Sequence, residues 1–186
     1  MAVHNTARRK LTYEDYVLFP EDGQRHEIID GEHYVSPAPL LRHQQISMRL
    51  SIRLGSFVET NRLGELYAAP ADVLLSEHDI LQPDIIFISN ERAAILTPKN
   101  IQGAPDLVIE ILSPSTRRLD ERLKLERYEL LGVREYWIVD PAGRVVVFQV
   151  DGETFRRTVE LSAEAEDVLT TPLLPGLQIP LADLFR

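Results

Sequence analysis

The sequence predicts a mixed α/β fold in which a β-sheet is flanked by helices, and three segments carry this prediction. Residues 106–112 are a short apolar run that ends at Ser113 and Pro114, which is typical of a strand buried on both faces of a sheet. Residues 40–61 repeat apolar side chains at helical spacing, and residues 117–131 form a second helical segment directly after the buried strand. Strands and helices therefore share one chain, as in α/β proteins.

The N-terminal third is predicted to hold a short helix, a β-hairpin and the long helix. Thr12 followed by acidic residues suits a first helical turn, and this segment runs to about Leu18. Asp30-Gly31 lies between two half-apolar runs and predicts a hairpin over residues 25–35. The long helix carries three arginines away from its apolar side, and they form either a solvated face or a stripe that contacts phosphates: Arg42, Arg49 and Arg53.

The middle and C-terminal parts are predicted to supply the remaining strands. The strand-like runs are residues 66–69, 72–75, 84–88, 135–140, 144–150 and 154–159. Residues 76–79 are a polar turn, and residues 89–105 are an irregular connection with a short helix. The helix after the buried strand begins at a Ser115 or Thr116 cap and stops at Gly132.

The composition predicts a cytoplasmic globular protein that does not interact with a membrane. Hydrophobic residues make up 44% and charged residues 26% of the 186 residues, and no apolar run approaches the roughly 20 residues that span a bilayer. The basic N-terminus lacks the apolar stretch of a secretory signal, and the absence of cysteine removes thiolate metal sites. We expect residues 11–186 to form a single domain after a tail of residues 1–10, which is a candidate for disorder.

The net charge of −9 argues against a protein that binds nucleic acid through charge alone. Such proteins usually carry a net or strongly clustered positive surface. An acidic protein can still be a nuclease, because a carboxylate site that recruits Mg²⁺ supplies positive charge where the phosphate arrives.

A buried carboxylate marks the candidate site. Glu110 lies inside the apolar run 106–112, where a charged group is costly unless a cation, a metal or strong donors face it. Asp84 opens another predicted strand, and two carboxylates on neighbouring strands can hold Mg²⁺, Mn²⁺ or Ca²⁺. Lys124, on the helix after the buried strand, can bring an ammonium to the same place, as phosphate hydrolysis requires.

Each of these three residues also has a purely structural explanation. Asp84 can cap the end of a strand, and Glu110 can pair with an arginine in the core. Lys124 can be a solvated helix residue. The combination is more specific for a hydrolytic site than any one member.

A set of motifs spread over residues 11–186 resembles a known family. The motifs are Pro83-Asp84 and the apolar run after it, Ala104 to Thr116 around Glu110, the column Asp120, Lys124 and Tyr128, Gly132 to Pro141, Glu27 to Glu32 and Leu174 to Leu177. This set is similar to that of the Uma-two family of endonucleases, which is assigned to the PD-(D/E)xK, restriction-endonuclease-like superfamily. The resemblance implies a restriction-endonuclease-like mixed β-sheet core flanked by helices, formed by a single domain over residues 11–186.

The resemblance also implies roles for individual residues. Asp84 and Glu110 would be metal ligands for Mg²⁺ or Mn²⁺, and they would be catalytic together with Lys124 and Glu27. Glu27 has a structural ion pair as its alternative. The superfamily places its lysine two residues after the strand acid, where this chain has Leu112, whereas the family places it on the next helix, which matches Lys124. The further residues it implies are His43 and Tyr128 as possible support, each with packing as the alternative. Independently of the resemblance, a nuclease would draw its nucleic-acid contacts from the basic residues Arg42, Arg49, Arg53, Arg117 and Arg118.

The predicted function is metal-dependent hydrolysis of phosphodiester bonds in nucleic acid, with DNA as the expected substrate. The few basic residues suggest a short footprint or a homodimer that doubles it. Two alternatives stay open. The first is a catalytically idle nuclease fold used for binding or assembly, and the second is a two-carboxylate glycosidase that needs no metal.

Overall fold

The computed structural model describes residues 9–186, so residues 1–8 of the predicted tail lie outside it. The helices are α1 (Tyr13–Tyr16), α2 (Leu41–Asn61), α3 (Leu125–Leu130) and α4 (Leu181–Phe185). The strands are β1 (Arg25–Ile29), β2 (Glu32–Ser36), β3 (Gly64–Ala68), β4 (Val73–Ser76), β5 (Asp79–Leu81), β6 (Ile85–Ser89), β7 (Ile101–Gln102), β8 (Leu107–Ile111), β9 (Glu135–Asp140), β10 (Arg144–Asp151), β11 (Thr154–Ser162), β12 (Val168–Leu169) and β13 (Ile179–Pro180).

The main sheet has six strands in the order β11-β10-β9-β8-β6-β3. β8 and β9 run parallel, and the other neighbours are antiparallel. Every residue of β8 is buried, as the apolar run predicted. Because the sheet is mixed and is flanked by helices, the observed architecture agrees with the predicted fold class.

Two apolar cores cover the two faces of β8. On one face, Ile109 and Ile111 belong to a cluster with Leu50 and Leu54 of α2. On the other face, Val108 belongs to a cluster that contains residues of α3 and β9. The alternation of side chains along β8 sends Glu110 to this second face, next to α3.

A second sheet has five strands in the order β2-β1-β5-β4-β7. The predicted hairpin is its β1–β2 pair, which turns at Asp30-Gly31. Two short strands of this sheet, β5 and β7, and the separate pair β12–β13 were missed, because runs of two or three residues are too short to give a periodic signal. β5 is nevertheless wholly buried between β1 and β4.

The helical segments largely follow the sequence pattern. The predicted helix over residues 40–61 is α2, which buries Ile46, Leu50 and Leu54 among other residues. The predicted helix over residues 117–131 is divided, since a π-helical stretch from Leu119 to Lys124 precedes α3. No helix within residues 9–186 combines the length and the apolar character needed to cross a membrane.

Candidate active site

Strand register places two carboxylates side by side. β6 and β8 run antiparallel, and Ile85 faces Ile109 across the pair. Asp84, one residue before β6, is therefore opposite Glu110. Directly opposed residues of antiparallel strands project from the same face of a sheet. Both side chains are buried, and both line a cavity of about 250 Å³.

The Lys124 ammonium is surrounded by three carboxylates. Its Nζ lies 2.9 Å from Glu110 Oε1 and 3.0 Å from Glu27 Oε1. Asp120 Oδ1 is 3.5 Å away. Burial disfavours the ammonium, but the charges of the three carboxylates outweigh burial and raise the pKa of Lys124. The side chain, which is only 2% exposed, is therefore charged and held inside the protein.

Glu110 keeps one carboxylate oxygen free. Its Oε1 accepts hydrogen bonds from Lys124 Nζ and the Tyr128 hydroxyl, each at 2.9 Å. Its Oε2 accepts no hydrogen bond from any residue between 9 and 186. Burial raises the pKa of Glu110 to about 8 against the attraction of Lys124, and the negative charges of Asp120 and Asp84 add to the rise. A carboxylate in this environment favours a proton or an additional cation.

Asp84 is held in place by three neighbours. Arg25 donates two hydrogen bonds of 3.0 Å to Oδ1. Oδ2 lies 3.0 Å from His43 Nε2 and accepts a 2.8 Å hydrogen bond from the Ile111 amide. Burial opposes ionisation of Asp84, but the hydrogen bond from His43 and the charge of Arg25 outweigh it and lower the pKa of this carboxyl. Asp84 is therefore ionised over the whole neutral range.

The structure brings together all the predicted members of the core constellation. Glu27, on β1 of the second sheet, reaches Lys124 and also accepts a 2.9 Å hydrogen bond from the Gln82 amide. His43 contacts Asp84, and Tyr128 contacts Glu110.

Two residues of the site were given no role by sequence reasoning, although Asp120 was placed in the column with Lys124 and Tyr128. Arg25 alternates with Glu27 on β1, so a period of two could have placed both side chains on one face. Asp120 lies four residues before Lys124 and accepts a 2.7 Å hydrogen bond from the Thr116 hydroxyl through Oδ2. Its Oδ1 is buried without a hydrogen-bond partner, and burial raises the pKa of this carboxyl.

The predicted nucleic-acid contacts lie elsewhere. Arg49 donates a 2.9 Å hydrogen bond to the Leu184 carbonyl, Arg42 donates to the carbonyls of the last two residues, and Arg53 lies 3.6 Å from Asp183. These contacts tie α2 to α4. Arg117 and Arg118 follow residues 113–116, which line the cavity. Arg117 is bound to acidic side chains, and Arg118 is exposed. None of the five predicted arginines lines the cavity.

The donor chemistry of the cavity fits a divalent cation in part. Carboxylate oxygens suit Mg²⁺, which is often bound by one or two carboxylates with water completing its shell. Glu110 Oε2 is available, whereas both oxygens of Asp84 already accept hydrogen bonds, so a cation would share Asp84 with Arg25. Within residues 9–186, no group of three or more His, Asp or Glu side chains is arranged to hold a metal.

Comparison with known proteins assigns the chain to a family. A family model described as "Uma2: Putative restriction endonuclease" matches residues 13–182. The chain belongs to the Uma2 family. This confirms the resemblance drawn from the motifs around Asp84 and Glu110, and it supports a nuclease function for this Uma2 protein.

A solved structure shares the fold. The crystal structure of a "putative nuclease belonging to DUF820" from Anabaena variabilis is 23% identical in sequence and superposes with a TM-score of 0.79. The match covers 94% of this Uma2 chain and 97% of the other. No curated protein matches this chain. The structural match confirms the predicted fold class, while the roles of the cavity residues depend on the geometry described above.

Proposed function

We propose that this Uma2 protein is an endonuclease that hydrolyses phosphodiester bonds in DNA with the help of Mg²⁺ or Mn²⁺. One observation carries the proposal: Asp84 and Glu110 lie opposite each other on neighbouring strands and line the same cavity. Glu110 Oε2 has no hydrogen-bond donor among residues 9–186, so it is free to bind a cation. A divalent ion there would activate a water molecule and offset the negative charge of the phosphate.

Lys124 and Glu27 have positioning roles in this proposal. The sequence suggested that the Lys124 ammonium assists at the phosphate. Its nearest acceptors are instead Glu110 and Glu27, so we assign it to fixing the Glu110 carboxylate. Tyr128 donates to the same Glu110 oxygen, which orients Oε2 away from Lys124 and leaves it for the ligand.

Arg25 is a further member of this machinery. Its guanidinium bonds Asp84 at the cavity wall and is partly exposed. A guanidinium recognises phosphate well, because its parallel donors match two phosphate oxygens. We assign Arg25 to the scissile phosphate, once a cation has taken over part of Asp84. Outside the cavity, Arg118 is the predicted arginine best placed for a second phosphate contact.

The test is a cleavage assay with purified protein and end-labelled DNA, in both single-stranded and duplex form, with Mg²⁺, with Mn²⁺ and with EDTA. We expect metal-dependent cleavage, and a loss of at least about 100-fold in Asp84→Asn and in Glu110→Gln, since each substitution keeps the side-chain shape but removes a ligand charge. Circular dichroism checks that both variants fold. Equal cleavage by the wild type and by both variants would contradict the proposal.

The alternative function is a catalytically idle nuclease fold that serves binding or assembly. The observation in its favour is that Arg25, His43 and the Ile111 amide satisfy Asp84 without a metal. The same assay discriminates the two functions when it is combined with a binding measurement. DNA binding that is unchanged by EDTA, with no cleavage under any condition, would identify the idle module.

A further inference from the structure

A second cavity adjoins the first at Asp84. It has a volume of about 350 Å³ and is lined in part by Gln44, Ser47 and Pro70. The two cavities share a wall formed by Arg25, His43 and Asp84, and they share a rim formed by residues 37–39. The candidate metal ligand Asp84 therefore lies between two compartments rather than at the end of one.

This arrangement matches the chemistry of a phosphodiester. The bond that an endonuclease cuts joins two nucleotides, so a site that cuts within a strand needs room on both sides of the scissile phosphate. Each cavity is near the lower end of the range for small-ligand pockets, roughly 300–1,000 Å³, which suits one nucleotide. The shared wall carries the guanidinium of Arg25, the group expected to meet the phosphate between the two nucleotides.

The same geometry disfavours an intact duplex. Asp84 and Glu110 are each 2% exposed, so a phosphate must enter the cavity to reach them. A base-paired strand would first have to unpair and unstack, which costs free energy, whereas a single strand is already unpaired. The protein also offers little charge to offset that cost, because its net charge is −9 and Arg42, Arg49 and Arg53 are bound within the chain.

We propose that the substrate of this site is single-stranded DNA that runs along the rim of residues 37–39, with one nucleotide in each cavity. The proposal rests on the proposed nuclease function for the cleavage step, while its binding step stands independently of it. In the second cavity, the exposed Gln44 amide and the Ser47 hydroxyl are available to hydrogen-bond a base.

Binding and cleavage are measured separately, so that the two proposals can fail separately. Fluorescence anisotropy compares a labelled single-stranded 30-mer with its duplex, in Ca²⁺ and in EDTA, and the cleavage assay uses the same two DNAs in Mg²⁺. We expect the single strand to bind and to be cleaved at least about 10-fold better, which corresponds to part of the unpairing cost. Preferred binding of the single strand without any cleavage would support this inference and contradict the proposed function. Equal or better binding of the duplex would overturn the inference.

A cavity-filling variant tests the second compartment. Ser47→Trp places a large ring in it, and we expect single-strand affinity to fall at least about 10-fold, because the ring takes the space of a base. The control is Ser56→Trp, an exposed position on the same helix outside both cavities, which should bind like the wild type. If thermal melting shows that Ser47→Trp does not fold, Gln44→Trp at an exposed position of the same cavity replaces it. Wild-type affinity in a folded cavity-filling variant would overturn the assignment of this cavity.

Discussion

At the scale of single residues, the site places more buried carboxyl groups than cations around Lys124. Glu27, Glu110 and Asp120 are all buried around Lys124, and one ammonium cannot neutralise three carboxylates. Burial raises the pKa of Glu110 to about 8, and the negative charges of Asp120, Asp84 and Glu27 add to the rise. A cation bound at Glu110 would replace the proton of this carboxyl and balance the buried carboxylates, as the proposed function requires.

The first prediction concerns the ammonium itself. Lys124→Met removes the only cation in contact with Glu110 among residues 9–186, and leaves buried carboxylates unpaired. Breaking a buried ion pair in this way typically costs about 3–5 kcal/mol, and we expect a loss of that size in the free energy of unfolding. Urea denaturation measures it, with the exposed Lys99→Met as the control that should change little. A loss below about 1 kcal/mol would contradict the buried network.

The second prediction is a pH dependence in metal-free protein. Glu110 has a pKa of about 8 in the folded state, above the ordinary value of 4.5. Between these two pH values the folded protein holds a proton that the unfolded chain has released, so this group makes the free energy of unfolding fall as the pH rises from about 5 to about 8. Denaturation in EDTA at several pH values measures the slope. Glu110→Gln cannot titrate and should flatten it, and an unchanged slope in this variant would contradict the assignment.

Part of this residue-level arrangement was predictable. Asp84 and Glu110 were recognised because a charge next to or inside an apolar strand needs an explanation, and Lys124 because it lies on the next helix. Arg25 and Asp120 were given no role, although Arg25 alternates with Glu27 and Asp120 shares the column with Lys124. The contact of Arg25 with Asp84 joins residues 59 positions apart, and local periodicity carries no information about it.

At the scale of secondary structure elements, the arginines of α2 bind α4. Arg42, Arg49 and Arg53 contact the carbonyls and the acidic side chain of α4, whose Leu181 and Leu184 are buried. Cations near the last carbonyls of a helix satisfy acceptors that have no partner within the helix. The arginine face predicted as either solvated or phosphate-binding therefore has a third use, which periodicity could not reveal because the partners lie more than one hundred residues away.

The third prediction separates the two kinds of arginine. Arg49→Met should lower the free energy of unfolding by about 2 kcal/mol, since it removes charged hydrogen bonds to α4 carbonyls, and it should leave the salt dependence of DNA binding unchanged. Arg118→Met should leave the free energy of unfolding nearly unchanged and should reduce the slope of that salt dependence by about 1. Thermal melts and anisotropy titrations at several salt concentrations measure both variants. A smaller salt dependence of DNA binding in Arg49→Met would contradict this assignment and would indicate that Arg49 contacts DNA.

Helices and strands were predicted correctly where the hydrophobic pattern in the sequence was long. The full length of α2 and the strands β8 and β9 were predicted nearly residue for residue, because a long apolar stripe or a fully buried strand has a strong signature. The π-helical stretch that carries Lys124 and precedes α3 was not predicted. π-Helical turns often occur at functional sites, and this one places Asp120 and Lys124 at the cavity.

At the scale of the whole molecule, charge limits how nucleic acid can bind. A protein with a net charge of −9 gains little from long-range attraction to phosphates. Recognition then depends on a small, local set of cations at the cavity and its rim. The sequence anticipated this short footprint, but the two adjoining cavities become visible only in the folded chain.

The fourth prediction is that two copies associate. A homodimer would double the small number of phosphate contacts available to one chain, which is the reason for expecting it. Light scattering coupled to gel filtration measures the molar mass directly. We expect twice the 21.2 kDa of one chain. A single species of one chain's mass at micromolar concentration would contradict the prediction and leave the site of each copy as described.

The central claim is that Asp84 and Glu110 share a divalent cation, and a crystal structure with Mn²⁺ tests it most directly. Mn²⁺ scatters anomalously, so its position can be located independently of the protein atoms. We predict one anomalous peak between Asp84 and Glu110, with Arg25 displaced from at least one of its bonds to Asp84. The contradicting result is a cavity with no such peak at saturating Mn²⁺, in which Arg25 keeps both hydrogen bonds to Asp84.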